Sequence, residues 1–360
     1  MDKPQLIRGQ KEHSNHSDIW RYDSELSKPG AFRTVSVEPL LGDHSCVELI
    51  EWPSSSNRLK YAAISHVWKF SEIVEKKCKE ASRPFVIDTN EGHHTISWLG
   101  LIEAASAARA AGCAHLWLDF LCIDQKGRED KRLQVQKMMN IYMRAHVVLV
   151  MPGGVGSVQS SRDYSEWITR AWTLQEAILG REVFCILSSP RSDERDVDLK
   201  AVPQDGSPKD FRRVKGNKGI SLLPFTDWLD LRAHNHDDPQ RIRYLSIVDL
   251  LINNNVANSE RRDCAIWRNM YYRTSSKEQD RIFSIMNLFK CPITVDYTRT
   301  FDDLFFELAN KCLAKCPTLL SLLPYGIDDY GKPDPRSGII LDFGNYFQGE
   351  ETSKTLYRSF

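Results

Sequence analysis

Residues 147–151 read Val-Val-Leu-Val-Met and are closed by Pro152-Gly153-Gly154. A strand alternates apolar and polar side chains when one face of its sheet meets water. A run that is apolar on both sides fits a sheet covered on both faces. Upstream, Glu129 to Ala145 reads as a helix, with Val135, Met138, Met139 and Tyr142 at helical spacing. Before it, His115-Leu-Trp-Leu-Asp119 is another strand of the buried type. Leu99 to Ala111 is alanine-rich and helix-forming, with Gly112 as its natural stop. Tyr61-Ala-Ala-Ile-Ser65 and Phe85-Val-Ile-Asp88 are earlier strands. Downstream, a helix over Ser165 to Leu179 ends at Gly180, and Val183-Phe-Cys-Ile-Leu187 follows as a strand. Strands and helices alternating at this spacing predict parallel pairing through crossover helices. The expected fold class is α/β, a mostly parallel sheet flanked by helices.

Outward from this core the pattern changes. Residues 1–58 are mixed, broken by Pro29-Gly30 and Ser54–Ser56, with a short strand expected around Cys46–Ile50. They are expected to pack on the α/β domain, which spans 59–188. Residues 189–220 are rich in Pro, Asp, Arg, Lys and Gly and read as a polar connector. Beyond it, Ile242–Ile252, Arg261–Tyr272, Asp280–Phe289 and Phe301–Cys316 all read as helices, so 221–360 is expected to be mainly helical.

Composition removes several function classes. Of 360 residues, 41% are hydrophobic and 27% charged, enough to bury a core. Lys plus Arg equals Asp plus Glu at 48 each, which leaves no global field drawing the chain to nucleic acid or anionic lipid. No run approaches the roughly 20 apolar residues of a membrane span. Met1 to Asp18 lacks the apolar centre of a signal peptide, so a cytoplasmic location is expected. The nine cysteines are scattered and odd in number, which favours reduced thiols over a disulfide framework. No spacing fits a closed zinc site; Cys312 and Cys316 have no second pair, and His234-Asn-His236 lacks a third ligand. Gly153, Gly154 and Gly156 follow a strand but read as a turn, not a dinucleotide fingerprint.

Four segments stand out in order: Tyr61-Ala-Ala-Ile-Ser-His-Val-Trp68, Leu116-Trp-Leu-Asp-Phe-Leu-Cys-Ile-Asp-Gln125, Met139-Asn-Ile-Tyr-Met-Arg-Ala145 and Trp167-Ile-Thr-Arg-Ala-Trp-Thr-Leu-Gln-Glu176. Together they resemble the heterokaryon incompatibility domain of filamentous fungi. That family's pattern is a strand ending in Ser-Tyr-x-Trp-Gly, then Trp-x-Asp-x-x-Cys-Ile-Asn-Gln. An Ile-Tyr-x-x-Ala helix and Trp-x-Arg-x-Trp-x-x-Gln-Glu follow. The resemblance is strong over 61–187 and weaker over 267–324. It departs from the pattern at His66, Lys69 and Asp124, where Tyr, Gly and Asn are usual. A lysine does not permit the close backbone approach that glycine does.

The family is similar in turn to the TIR superfamily, some of whose members cleave NAD at the nicotinamide–ribose bond. The resemblance implies a TIR-like or flavodoxin-like core. It also places on Glu176, four residues after Trp172, the role of the glutamate in the TIR Trp-x-x-x-Glu helix. Residues 172 and 176 share a helix face, and a carboxyl held against an indole loses hydration, which raises its pKa. Such a carboxylate can stabilise an oxocarbenium-like state or hold ribose hydroxyls. The alternative is that Glu176 pairs with Arg170, Arg181 or the backbone.

Asp119 closes its strand where ligands gather in open α/β sheets, or else caps the turn that follows. Cys122, Asp124 and Gln125 lie on the next loop, facing a ligand or packed within it. Ser65 and His66 end the first strand, placed for hydrogen bonding and acid–base work or as turn and core residues. Trp68 suits stacking on a base or core packing, and Arg170 suits clamping a phosphate or bracing its helix. With Trp172, these residues make up the candidate ligand site. NAD enters as substrate, no cofactor is implied, and the partner expected is a nucleotide-like small molecule.

The function this implies is self/non-self recognition or cell-death signalling. Two alternatives stay open. One is a non-enzymatic module that self-associates or engages a signalling partner. The other is a domain recruited into small-molecule biosynthesis, which the unusual His66, Lys69 and Asp124 keep in view.

Overall fold

The computed structural model describes residues 5–8, 10–13, 18–21, 28–42, 47–53, 59–67, 84–89, 92–154, 165–188, 220–254 and 259–315. The chain divides into two compact units, Met1–Val248 and Asp249–Phe360.

Among the described residues the first unit holds twelve strands: β1 (Gln5–Arg8), β2 (Gln10–His13), β3 (Asp18–Arg21), β4 (Phe32–Ser36), β5 (Glu48–Trp52), β6 (Tyr61–Ser65), β7 (Pro84–Thr89), β8 (Gly92–Ser97), β9 (His115–Trp117), β10 (Val147–Val150), β11 (Val183–Ser188) and β12 (Ile220–Pro224). Eight form the main sheet, in the order β1-β5-β4-β9-β6-β10-β11-β12. Its centre, β9-β6-β10-β11, is parallel. Both margins are antiparallel. The α/β expectation therefore holds. Every residue of β6 and β10 is buried, as strands covered on both faces must be.

Numbered along the chain, the four central strands lie in the order 2-1-3-4. The winding reverses between β6 and β10, and in doubly wound sheets ligands bind beyond the strand ends at such a reversal. Ser65 is the last residue of β6.

Helix Trp98–Ala110 lies against β6, β9 and β10 with Ala104, Ala105, Ala107 and Ala108 fully buried, since alanine lets a helix approach a sheet closely. It ends as the sequence predicts: Gly112 has φ +74°, its N–H bonds Arg109 O, and Cys113 N–H bonds Ala108 O. These are the paired bonds of a left-handed helix stop. Helix Arg128–Arg144 packs with helix Ala171–Leu179. Its buried positions are Asp130, Gln134, Met138, Ile141 and Tyr142, whereas Val135 and Met139 are only half-buried.

The strand at Phe85–Asp88 sits elsewhere than the alternation suggests. It belongs to β7, in a second sheet ordered β2-β3-β7-β8. Thr89 pairs with Gly92, so β7 and β8 form a hairpin. A parallel return needs a crossover of a dozen or more residues, which this spacing does not provide. β12, which pairs antiparallel with β11, extends the main sheet by a strand with no counterpart in the expected pattern. The region 189–219 lies outside the described residues.

In the second unit, helix Asp280–Met286 packs against helices Ser259–Tyr271 and Phe301–Leu313, around Trp267, Phe289 and Phe305. Thr300 caps the last of these by accepting from Asp303 N at 3.2 Å. Helix Arg241–Asn254 runs through the boundary between the units. Among the described residues no helix is long and apolar enough to cross a membrane. The described cysteines, including Cys113, Cys122 and Cys185, are unbridged.

Candidate functional site

The helix expected over Ser165–Leu179 is interrupted. A 3-10 turn covers Glu166–Thr169, Arg170 is extended at φ −80° and ψ 139°, and the α-helix begins at Ala171. The Thr173 hydroxyl donates to Trp167 O at 2.7 Å and Arg170 O at 2.8 Å, which ties off the break. The interruption points both Trp167 and Glu176 at the end of β6. Trp167 Nε1 donates to Ser65 Oγ at 2.8 Å, and Ser65 Oγ donates to Glu176 Oε2 at 2.5 Å.

Ser65 and Glu176, two of the residues singled out from the sequence, therefore meet. The indole in that contact is Trp167. Trp172, on the same helix, is half-buried against the core.

Strand β9 stops at Trp117, and Asp119 opens the four-residue helix Asp119–Cys122. Its Oδ1 accepts from Phe120 N at 2.7 Å and lies 2.8 Å from His66 Nε2. The other ring nitrogen, Nδ1, lies 3.1 Å from Val67 O. His66 and Asp119 thus come together beside Ser65 and Glu176.

The remaining candidates bond largely within their own loop. Gln125 Nε2 donates to Asp119 O at 3.1 Å and Ile123 O at 3.0 Å. The Asp124 carboxylate accepts from Lys126 N at 2.9 Å, and its backbone N–H donates to Asp130 Oδ2 at 2.8 Å. Cys122 Sγ accepts from Leu118 N at 3.5 Å, and burial pushes this thiol up to about 12, well away from nucleophilic use. Arg170 is half-buried at the helix break. Trp68 and Lys69 lie outside the described residues.

Sequence reasoning passed over the pair that braces this loop. Arg33 of β4 is fully buried and meets Asp130 at 3.0 Å. Arg33 also donates to Cys122 O at 3.1 Å and Lys28 O at 2.7 Å. A signal was present: Asp130, Gln134, Met138, Ile141 and Tyr142 share one helix face, so two polar residues sit in phase with the core.

Residues 61–163 match the model of one family, described as heterokaryon incompatibility protein (HET). This segment is a HET domain. No curated protein and no solved structure matches the chain. The HET match contains Ser65, His66 and Asp119 but stops before Trp167 and Glu176, which complete the cluster from outside it.

The electrostatics of the cluster that these residues complete with the HET domain follow from burial. Glu176 is 4% exposed, and desolvation raises its pKa to about 8. The Asp119 charge adds to that rise, while the Ser65 hydrogen bond, His66 and Arg170 oppose it. Both ring nitrogens of His66 face oxygens that accept, a carbonyl and a carboxylate, an arrangement that favours the doubly protonated ring. Burial alone would pull His66 down. The Asp119 charge and hydrogen bond outweigh it, and its pKa is raised. The Tyr142 hydroxyl, pushed well up by burial and by the neighbouring Glu176 and Asp119, donates to Ile64 O at 3.1 Å.

The site thus holds a carboxyl whose pKa burial raises to about 8, beside a histidine–aspartate pair 2.8 Å apart. Among the described residues no group of three or more His, Cys, Asp or Glu could hold a metal ion.

Proposed function

We propose that the HET domain of this chain acts in self/non-self recognition or cell-death signalling by cleaving the nicotinamide–ribose bond of NAD, with Glu176 as the reacting carboxyl. The observation that carries this reading is the convergence of Glu176, Ser65 and the His66–Asp119 pair at the reversal point of the parallel strands.

In the reaction the ribosyl C1′–N bond breaks and the electron pair leaves with nicotinamide as a neutral base. The ribosyl oxocarbenium left behind takes up water and loses a proton. A cationic nicotinamide-ribosyl group entering beside Glu176 lowers the pKa of the buried acid, whose proton passes to water as the substrate enters. The resulting carboxylate stabilises the developing positive charge in a site of low dielectric. Asp119, held 2.8 Å from His66, is the second carboxyl group at hand for the ribose hydroxyls or the attacking water.

Incubating purified protein with NAD and measuring nicotinamide tests the reading. The wild type releases it, and Glu176→Gln abolishes release while circular dichroism shows an intact fold. Equal turnover by the variant removes the assignment.

One observation favours a second reading. Ser65 is fully buried, with Trp167 and Glu176 both bonded to it, an arrangement that also serves as an internal lock. The domain would then signal by contact alone, and toxicity on overexpression would survive Glu176→Gln.

A further inference from the structure

Ser65 stands between two partners with opposite demands. An indole Nε1 only donates, and Trp167 donates to Ser65 Oγ at 2.8 Å. A serine hydroxyl has one hydrogen, and with Oγ accepting from the indole that hydrogen is directed to Glu176 Oε2. Trp167 and Ser65 are fully buried and Glu176 nearly so, which keeps bulk water from competing for these bonds.

We propose that Trp167 is a positioning residue for Glu176. By holding Ser65 Oγ as an acceptor it makes Oε2 of the acid a standing acceptor, so any proton the acid carries resides on Oε1. The Tyr142 hydroxyl, close enough to Glu176 to be raised by its charge, spends its own hydrogen on Ile64 O. It therefore has a lone pair to offer, which is what an Oε1 proton needs.

Trp167 is itself fixed by residues beyond the HET match. Its ring packs edge-on against Phe225 at 5.5 Å and Trp228 at 6.0 Å. The side chain of Gln240 clasps the backbone two residues earlier, accepting from Ser165 N at 3.3 Å and donating to Ser165 O at 3.0 Å. The segment after β12 therefore governs which oxygen of Glu176 holds the proton. The meaning of this for catalysis rests on Glu176 as the reacting carboxyl, but its measurement does not.

The test is a pH titration of the full chain by NMR, following the Trp167 indole N–H and the Glu176 carboxyl carbon together. Because the hydroxyl between them is shared, the indole resonance is expected to move with the same midpoint as the carboxyl, near 8. Ser65→Ala removes that common midpoint and raises the carboxyl's own by about one unit, and Trp167→Phe shifts it in the same direction. An indole resonance that stays flat while Glu176 titrates overturns the proposal, as does an unchanged midpoint in folded Ser65→Ala. If neither variant folds, the wild-type titration decides alone. Coupled titration without nicotinamide release leaves the positioning role standing and removes the NAD reading; release without coupling does the reverse.

Discussion

Ser65 and Glu176 meet hydroxyl to carboxyl at 2.5 Å, across 111 residues of chain. The contact joins the end of a central strand to a helix that begins only after a break, and it sets the acid where burial, against most of its partners, raises its pKa to about 8.

That shift has a pH signature. Between the ordinary carboxylate value of 4.5 and about 8, the folded chain keeps a proton on Glu176 that the unfolded chain has lost. Stability therefore falls as pH rises through this window, by at most a little over ~1 kcal/mol per pH unit from this group. His66, also raised, loses its contribution in the same direction as pH passes its folded value. Glu176→Gln is expected to flatten the slope in urea unfolding done at a series of pH values. Parallel slopes for the two proteins would contradict it.

Arg33 and Asp130 form a buried pair, and removing one partner strands the other's charge. Arg33→Leu is expected to lower stability by about 3–5 kcal/mol. Adding Asp130→Leu should recover part of that loss, because only Glu51, the more distant partner at 3.4 Å, is then left without its cation. Guanidinium midpoints of the two singles and the double measure it, and strict additivity would count against the pairing.

Two glycines predict opposite rescues. A Cβ on Gly180, whose φ is −63°, would stand 2.7 Å from Val148 Cγ2 and Val183 Cγ2, so Gly180→Ala overpacks the core by about 1–3 kcal/mol. Val148→Ala should relieve part of it, the contact with Val183 remaining. At Gly112 a Cβ meets nothing within 4 Å, and the strain lies in its φ of +74°. Gly112→Ala should cost about 1–2 kcal/mol, and Asn there should cost less. Thermal melts distinguish the two, and a core substitution that rescued Gly112→Ala would refute the distinction.

Gln240→Ala removes both bonds to Ser165 and leaves a buried N–H and C=O unpaired. The expected loss is about 2 kcal/mol. It should come with faster hydrogen exchange at the Ser165 amide, read by mass spectrometry. Unchanged exchange would show that the clasp is not what protects that amide.

The central strands were legible because burial on both faces writes itself as uninterrupted apolar runs, as in Val147–Val150. Helix Trp98–Ala110 was legible because alanine and a terminal glycine leave local marks. The second sheet was not, because a strand's partner depends on the length of the connection, and Phe85–Asp88 reads the same in either sheet. At the site, strand ends drew attention to Ser65 and Asp119, and a helical spacing to Glu176. Trp167 escaped notice as a hydrogen-bond donor because the break at Arg170, which turns it toward Ser65, depends on contacts formed only in the folded chain. Arg33 escaped for a similar reason: its partner Asp130 lies 97 residues away.

The antiparallel strands at both margins of the main sheet limit how the recognisable segment can be excised. A fragment cut to residues 61–163 would keep β9, β6 and β10 but lose β4 and β11, their outer neighbours. Two interior strands would then present raw backbone to other chains and invite aggregation. The stretch that makes the domain recognisable is thus smaller than the piece that can stand by itself in a test tube.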